Sequence, residues 1–289
     1  MTPKTSTRKY YKAISSHHTT GDIWMDLPTF GILKPELSSA LVITPACDLA
    51  NAKVETITYL PIVPISLWFT SRSFYYETRN TIIGMVQEKI GSIDDILLKN
   101  KMPTAEDIDT LIEILKERPA TKKNEKDLLQ RIESGLTHLK LISTPETYSC
   151  DLTSLELFFG TTSFQKITKR LITNGYSNDL HFLPKDHDPT DWSAIKSHSL
   201  VLFRYPITIP IEILDLANDT SCVEWAPAIS KLSKNYSIAT AFIAKRPLKT
   251  LSMTSNFLSD LLTRFVSLYI RVGSPDFTQE TISQISNEL

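Results

Sequence analysis

The chain has 289 residues, with 31 Lys and Arg against 32 Asp and Glu, a formal net charge of −1, 42% hydrophobic and 22% charged residues. That composition excludes fibrous and disordered classes and leaves ample material for a core, in one large domain or two small ones. A near-neutral balance also excludes a protein that coats nucleic acid electrostatically, although a local basic face stays open.

The three cysteines, Cys47, Cys150 and Cys222, are sparse and contain no CxxC pair, so they form neither a disulfide framework nor a zinc site. The N-terminal stretch MTPKTSTRKYYKAISSHHTTGD lacks the apolar centre of a signal peptide. No run reaches the roughly 18 apolar residues that span a bilayer. These features predict a reduced, soluble, cytoplasmic protein with no membrane contact. Eight glycines form no glycine-rich phosphate loop, so no nucleotide cofactor of the P-loop or Rossmann kind is expected, and no other cofactor is implied.

In chain order, residues 1–19 read as a flexible N-terminal segment, with His17 and His18 in a polar tail. Residues 22–27, DIWMDL, alternate as a half-buried strand does. Residues 28–35 form a loop with Pro at both ends and Gly31 inside. The apolar run 40–43 predicts a buried strand. Residues 56–65, TITYLPIVPI, are rich in β-branched side chains, but Pro61 and Pro64 predict an edge or interrupted strand. Short strands joined by proline-bearing loops predict a small barrel.

The middle is helical. Ser92 caps a short helix carrying Ile93, Ile96 and Leu97. Thr104 and Asp107 make a capping-box-like start for a helix with Ile108, Leu111, Ile112 and Leu115, ended by Pro119. A second amphipathic helix carries Leu128, Leu129, Ile132, Leu136 and Leu139, completing a hairpin. Residues 163–173 predict another helix, with Gly175 as its C′ residue. Strand-like segments return at 180–183, 200–204 with 207–214, and 238–244. A last helix runs over 256–272 and stops at Gly273 and Pro275. The predicted fold is therefore α+β, an SH3-like β-barrel core with a helical insertion and a C-terminal helix. Its parts are 20–66, the first half of the barrel; 67–176, the mostly helical insertion; and 177–289, the second half with the final helix.

The segment GDIWMDLPTFGILKPELSSALVITPACDLANAK, followed by ITYLPIVPI, resembles the first half of the PemK/MazF family of SH3-like barrels. Those toxins begin with a GDI or GDV strand, a loop containing LP and G, and a strand of the form RPALVIS. The resemblance implies a ribonuclease arginine before the ALV strand and a threonine after the next one. Here those positions hold Ser38 or Ser39, and Val63, so the cation that would stabilise the developing phosphorane charge is missing. The chain also resembles a group of bacterial proteins that pair an S-x-x-CD-[IL] segment with a helix ending R-x-G-x-P. The matching residues are Thr44 to Leu49, with Thr in place of Ser, and Arg271 to Pro275. That second resemblance implies a setting beside phage-defence or stress genes.

The candidates for chemistry are Cys47, Asp48, His181, Arg264 and Arg271. Cys47 as a nucleophile needs a base that the sequence does not place beside it. The plainer reading makes it a small buried residue, with Asp48 bonding the N–H groups of a strand-to-loop corner. His181, Asp186, His187, Asp188 and Asp191 are a His/carboxylate cluster, but their composition is that of a solvated loop, and no metal site is expected. Arg264 and Arg271 lie two helical turns apart and reach one anion, or else snorkel and complement the helix dipole. Arg72, Tyr75, Tyr76 and Arg79 mix basic and aromatic character, as single-strand nucleic-acid platforms do and as amphipathic connectors also do.

Three functions follow. The first is a non-catalytic barrel-type binding or regulatory component, set in a phage-defence or toxin–antitoxin-like system and working with a protein partner. The second is a diverged toxin-like nuclease acting on RNA or DNA. The third is an interaction scaffold using the helical insertion. Nucleic acid stays open as a partner, and the oligomeric state is not legible.

Overall fold

The computed structural model describes residues 10–51, 53–89, 102–146, 149–187, 193–270, 278 and 280, with residues 87–89 described by their backbone alone. Eight strands form one sheet: β1 (Tyr11–Lys12), β2 (Asp22–Pro28), β3 (Leu37–Val42), β4 (Thr56–Pro64), β5 (Leu180–Leu183), β6 (Ser199–Leu202), β7 (Ile207–Pro210) and β8 (Leu248–Met253). Their order is β1-β8-β2-β3-β4-β6-β5, with β7 also paired to β4, and every pairing is antiparallel.

The α+β class holds, but the sheet is open. Among the described residues no backbone ladder joins β1 to β5. Side chains bridge the two edges instead. The Tyr11 hydroxyl donates to Pro184 O at 2.6 Å, and the Tyr10 hydroxyl donates to Phe182 O at 3.3 Å.

Both faces of the sheet are buried, because alternate residues serve different cores. On one face, Ile23, Leu41, Leu60, Ile62, Val201 and Met253 pack with Leu183 and Phe203. On the other, Trp24, Ala40, Val42, Ile57 and Tyr59 pack with Ile207 and Ile209. Each of these large apolar side chains contributes about 1.5–3 kcal/mol on burial.

β4 is central rather than an edge strand. It pairs β3 along one side, and β7 (residues 56–59) and β6 (residues 62–64) along the other. The break between β6 and β7 falls opposite Leu60 and Pro61, so the N–H that Pro61 lacks leaves no ladder bond unmade on that side.

The helices are α1 (Ala46–Ala50), α2 (Ile65–Trp68), α3 (Tyr75–Lys89), α4 (Ala105–Lys116), α5 (Lys123–Ser143), α6 (Leu152–Phe159), α7 (Thr161–Ile172), α8 (Ile211–Asn218), α9 (Trp225–Leu232) and α10 (Ser255–Tyr269). The predicted capping box of α4 is present, with Thr104 Oγ1 and Asp107 each accepting the other's backbone N–H. Helices α3 to α7 share a core of Trp68, Phe69, Phe74, Ile132, Leu136 and Phe158. That core runs without a break into Val63, Leu200 and Leu202 of the sheet. Helix α10 covers the opposite face through Leu261.

Three local expectations are corrected. Residues 211–214 begin α8 after Pro210, rather than extending a strand. Residues 237–242 form a 3-10 turn that buries Ala239 and Phe242 three residues apart, where a strand was predicted. The left-handed residue after α7 is Asn174 (φ 56°), not Gly175, and its side chain accepts from Phe182 N at 2.6 Å. The helix predicted at Ser92 and the stop at Gly273 and Pro275 lie outside the described residues. Among the described residues no helix is long and apolar enough to cross a membrane.

Candidate functional site

The site begins at the loop between β2 and β3. Asp26, Phe30 and Gly31 take positive φ, which bends the chain sharply out of β2. The loop is then locked by its own bonds: Thr29 N donates to Glu36 O at 2.9 Å, Ile32 N to Thr29 O at 3.0 Å, and Thr29 Oγ1 to Pro35 O at 2.5 Å. This closed turn carries Lys34 across to the end of α5, where its ammonium donates to Leu141 O at 2.7 Å.

Beneath the loop, where the helical unit meets the sheet, lies a cavity of about 500 Å³. Its apolar wall is Val63, Leu67, Ile142 and Leu202, and its polar wall is Lys34, Ser71, Arg72, Ser143 and Trp68. Three of those polar atoms, Ser71 Oγ, Ser143 Oγ and Trp68 Nε1, are shut off from solvent and have no hydrogen-bond partner. Burial, followed by the neighbouring Arg72 charge, holds the Lys34 ammonium below the usual lysine range, against a smaller opposite pull from Glu146. Among the described residues no carboxylate lines this wall.

A second cavity, of about 350 Å³, adjoins the first through Pro35, Val63 and Leu67. Ser38, Ser39, Ser193, Ser197 and Ser199 line it, with Asp26 and Lys196. Ser39 Oγ donates to Ala194 O at 2.9 Å, while Ser38 Oγ is buried without a partner. Ser39 and Ile62 face each other across the β3–β4 ladder, which brings Ser38 and Val63 to one place. A third cavity, of about 210 Å³, continues the seam past Trp68, Ser73 and Tyr205 to Asp179 and Arg204.

Of the residues singled out from the sequence, Ser38, Ser39, Val63 and Arg72 line these cavities, whereas Cys47, Asp48, His181 and Arg264 lie elsewhere. Cys47 is exposed on α1, not buried, and its Sγ sits 3.5 Å from Asp48 Oδ1. The corner is tied by Asn51 Nδ2 donating to Cys47 O at 2.6 Å rather than by the Asp48 side chain. Arg264 lies near His181, half-buried and bonded to backbone carbonyls. Arg264 Nη2 donates to Asn174 O at 2.9 Å and Leu180 O at 3.4 Å. His181 is 1% exposed, and burial, followed by the Arg264 charge, lowers its pKa to about 4. Arg271 lies outside the described residues.

Asp186 accepts from Ser193 Oγ at 3.0 Å, whereas Asp188 and Asp191 lie outside the described residues. Among the described residues no group of three or more His, Cys, Asp or Glu is placed to hold a metal ion. His18, read as part of a tail, lies 3.0 Å from Asp215 Oδ1. Tyr75 is buried and Tyr76 is 63% exposed, so of the predicted basic–aromatic platform only Arg72 reaches the larger cavity. Lys34, Ser71 and Ser143 escaped sequence reading because a lysine in a Gly/Pro loop and two serines near helix ends carry no periodic signal.

No family model, curated protein or solved structure matches this chain.

Proposed function

We propose that the protein is a non-catalytic binding or regulatory component, and that the joined cavities under the β2–β3 loop are its ligand site. The observation that carries this reading is the pair of adjoining cavities at the seam between sheet and helices, the larger lined by Lys34 and Arg72 on one side and by Val63, Leu67, Ile142 and Leu202 on the other. Small-molecule sites are ordinarily concave and mostly apolar, with a few polar groups that fix the ligand's orientation.

The finer fold reading belongs with this proposal. The run β8-β2-β3-β4, continued by β6 and β7, suits an SH3-like barrel held open at its short outer strands. On that reading the serine-lined cavity occupies the position of the toxins' catalytic centre, with Ser38 or Ser39 and Val63 where an arginine and a threonine would stand. Hydroxyls there can bind but cannot neutralise a phosphorane. The setting we infer, from the resemblance of the Thr44 to Leu49 and Arg271 to Pro275 segments, is a bacterial phage-defence or toxin–antitoxin-like system. A protein partner would read the liganded state.

Native mass spectrometry of protein purified from its host tests the site. Ser73 is exposed at the mouth, so Ser73→Trp fills the cavity without touching the core. A small-molecule adduct kept by wild type and lost in the variant is expected. An identical adduct pattern in both, or RNA cleavage by the purified protein, overturns the reading.

A further inference from the structure

We propose that the larger cavity binds a small organic phosphate, with its phosphate group held between Lys34 and Arg72 and its body against Val63, Leu67 and Leu202. This inference rests on the reading of the seam as a ligand site and adds the ligand's chemical class.

The polar wall is a set of donors. Lys34 keeps two N–H groups after its bond to Leu141 O, and a guanidinium offers five N–H donors and no acceptor. Trp68 is 2% exposed, and its orphaned indole nitrogen can only donate. Two cations on the lining, with no carboxylate there among the described residues, favour an anion. A phosphate monoester offers three acceptor oxygens and close to two negative charges, more than a carboxylate.

Lys34 and Arg72 both line the cavity and their like charges repel, and a bound dianion relieves that repulsion. The apolar wall opposite gives the ligand's body a hydrophobic contact. A volume of about 500 Å³ admits one small molecule of this kind, not a length of nucleic-acid chain.

The test is calorimetry on the full chain with three probes: phenyl phosphate, inorganic phosphate and phenol. Phenyl phosphate should bind one to one, at least tenfold more tightly than either of the others. Arg72 is exposed and makes no core contact, so Arg72→Gln should keep the thermal melt unchanged and weaken phenyl phosphate at least tenfold. Ser73→Trp should abolish the binding. A 5′-phosphorylated dinucleotide that binds no better than phenyl phosphate places the ligand among free metabolites rather than strand ends. Phenol binding as well as phenyl phosphate, unmoved by Arg72→Gln, overturns the phosphate while leaving the cavity a ligand site. Failure of every probe also overturns the phosphate, and the adduct comparison with Ser73→Trp then decides separately whether the cavity binds anything.

Discussion

The Tyr10 hydroxyl lies 3.2 Å from His181 Nε2, joining two residues 171 positions apart and the two outer edges of one sheet. Tyr10 also stacks on Phe257 of α10, at a ring-centroid distance of 4.0 Å. Strand edges, the final helix and the sheet interior therefore meet at one phenol. The sheet stays open, and its two outer edges are linked here by side chains alone.

Tyr10→Phe isolates that link. The ring and its stack on Phe257 are kept, while His181 Nε2 and Phe182 O lose their partner. Since His181 Nδ1 already has none, the imidazole becomes wholly unsatisfied. A cost of about 1–3 kcal/mol in urea unfolding is expected, with an unchanged m-value. A midpoint equal to wild type would show that the edge contact carries no stabilising energy.

His138 and His181 predict the direction of the acid response. Burial lowers both to about 4, and His138 Nε2 lies 3.0 Å from Phe69 O in the helical core. Both are neutral when folded, and their unfolded value is near 6.5. Between those limits the unfolded chain binds more protons, so stability falls as pH drops from 6.5 towards 4 and is flat above 7 on their account. Each contributes at most roughly 3 kcal/mol across the window. His138→Gln should flatten the slope of unfolding free energy against pH whatever it does to absolute stability. An unchanged slope refutes the assignment to His138.

Gly135 sits in the middle of α5, where replacing glycine by alanine ordinarily stabilises by about 1 kcal/mol. Here the sign reverses. A Cβ at Gly135 would collide with the Phe158 ring of α6, whose neighbour Phe159 and partner Leu136 are both buried. Gly135→Ala should cost about 1–3 kcal/mol by overpacking. If the variant is more stable than wild type, α5 and α6 are not in tight contact at this point.

The cysteines predict a reactivity order. Cys47 is exposed, whereas Cys150 is buried, and burial pushes its thiol up to about 12. A disulfide-exchange reagent should label Cys47 in the native protein and Cys150 only after unfolding. Labelling of both at equal rates in the native state would contradict the packing of Cys150 against the helical core.

What could be read beforehand was what is encoded locally. The capping box at Thr104, the apolar spacing of α5 and α7, and the alternation of β2 each depend on residues within a few positions of one another. The 3-10 turn at 237–242 escaped because IATAFIA is apolar and too short for a period to separate strand from turn. Strand β8 escaped because its residues alternate only weakly. The candidate site was the least legible, because the residues that meet at the seam, Lys34, Ser71 and Ser143, belong to three elements that the sequence does not tie together. Even Asp22, read as part of a GDI motif, showed nothing of its partner.

That partner is Lys249, whose ammonium lies 3.5 Å from Asp22 Oδ2 with both side chains almost wholly buried. Lys249 also donates to His17 O at 3.0 Å and lies 5.8 Å from the Trp24 ring centre, while Thr19 N donates to Asp22 Oδ2 at 3.0 Å. The pair thus fixes the chain before β2 onto β8. Burial raises the Asp22 pKa despite these bonds, and a carboxylate stripped of Lys249 keeps the Thr19 N–H but loses its buried cation. Lys249→Met should cost about 3–5 kcal/mol by leaving that charge uncompensated. Asp22→Asn in the same background should return a large part of the loss, because a neutral amide does not need the cation. A double-mutant cycle in urea measures this coupling. Additive losses would mean that Asp22 and Lys249 stabilise the fold independently, through their backbone contacts alone.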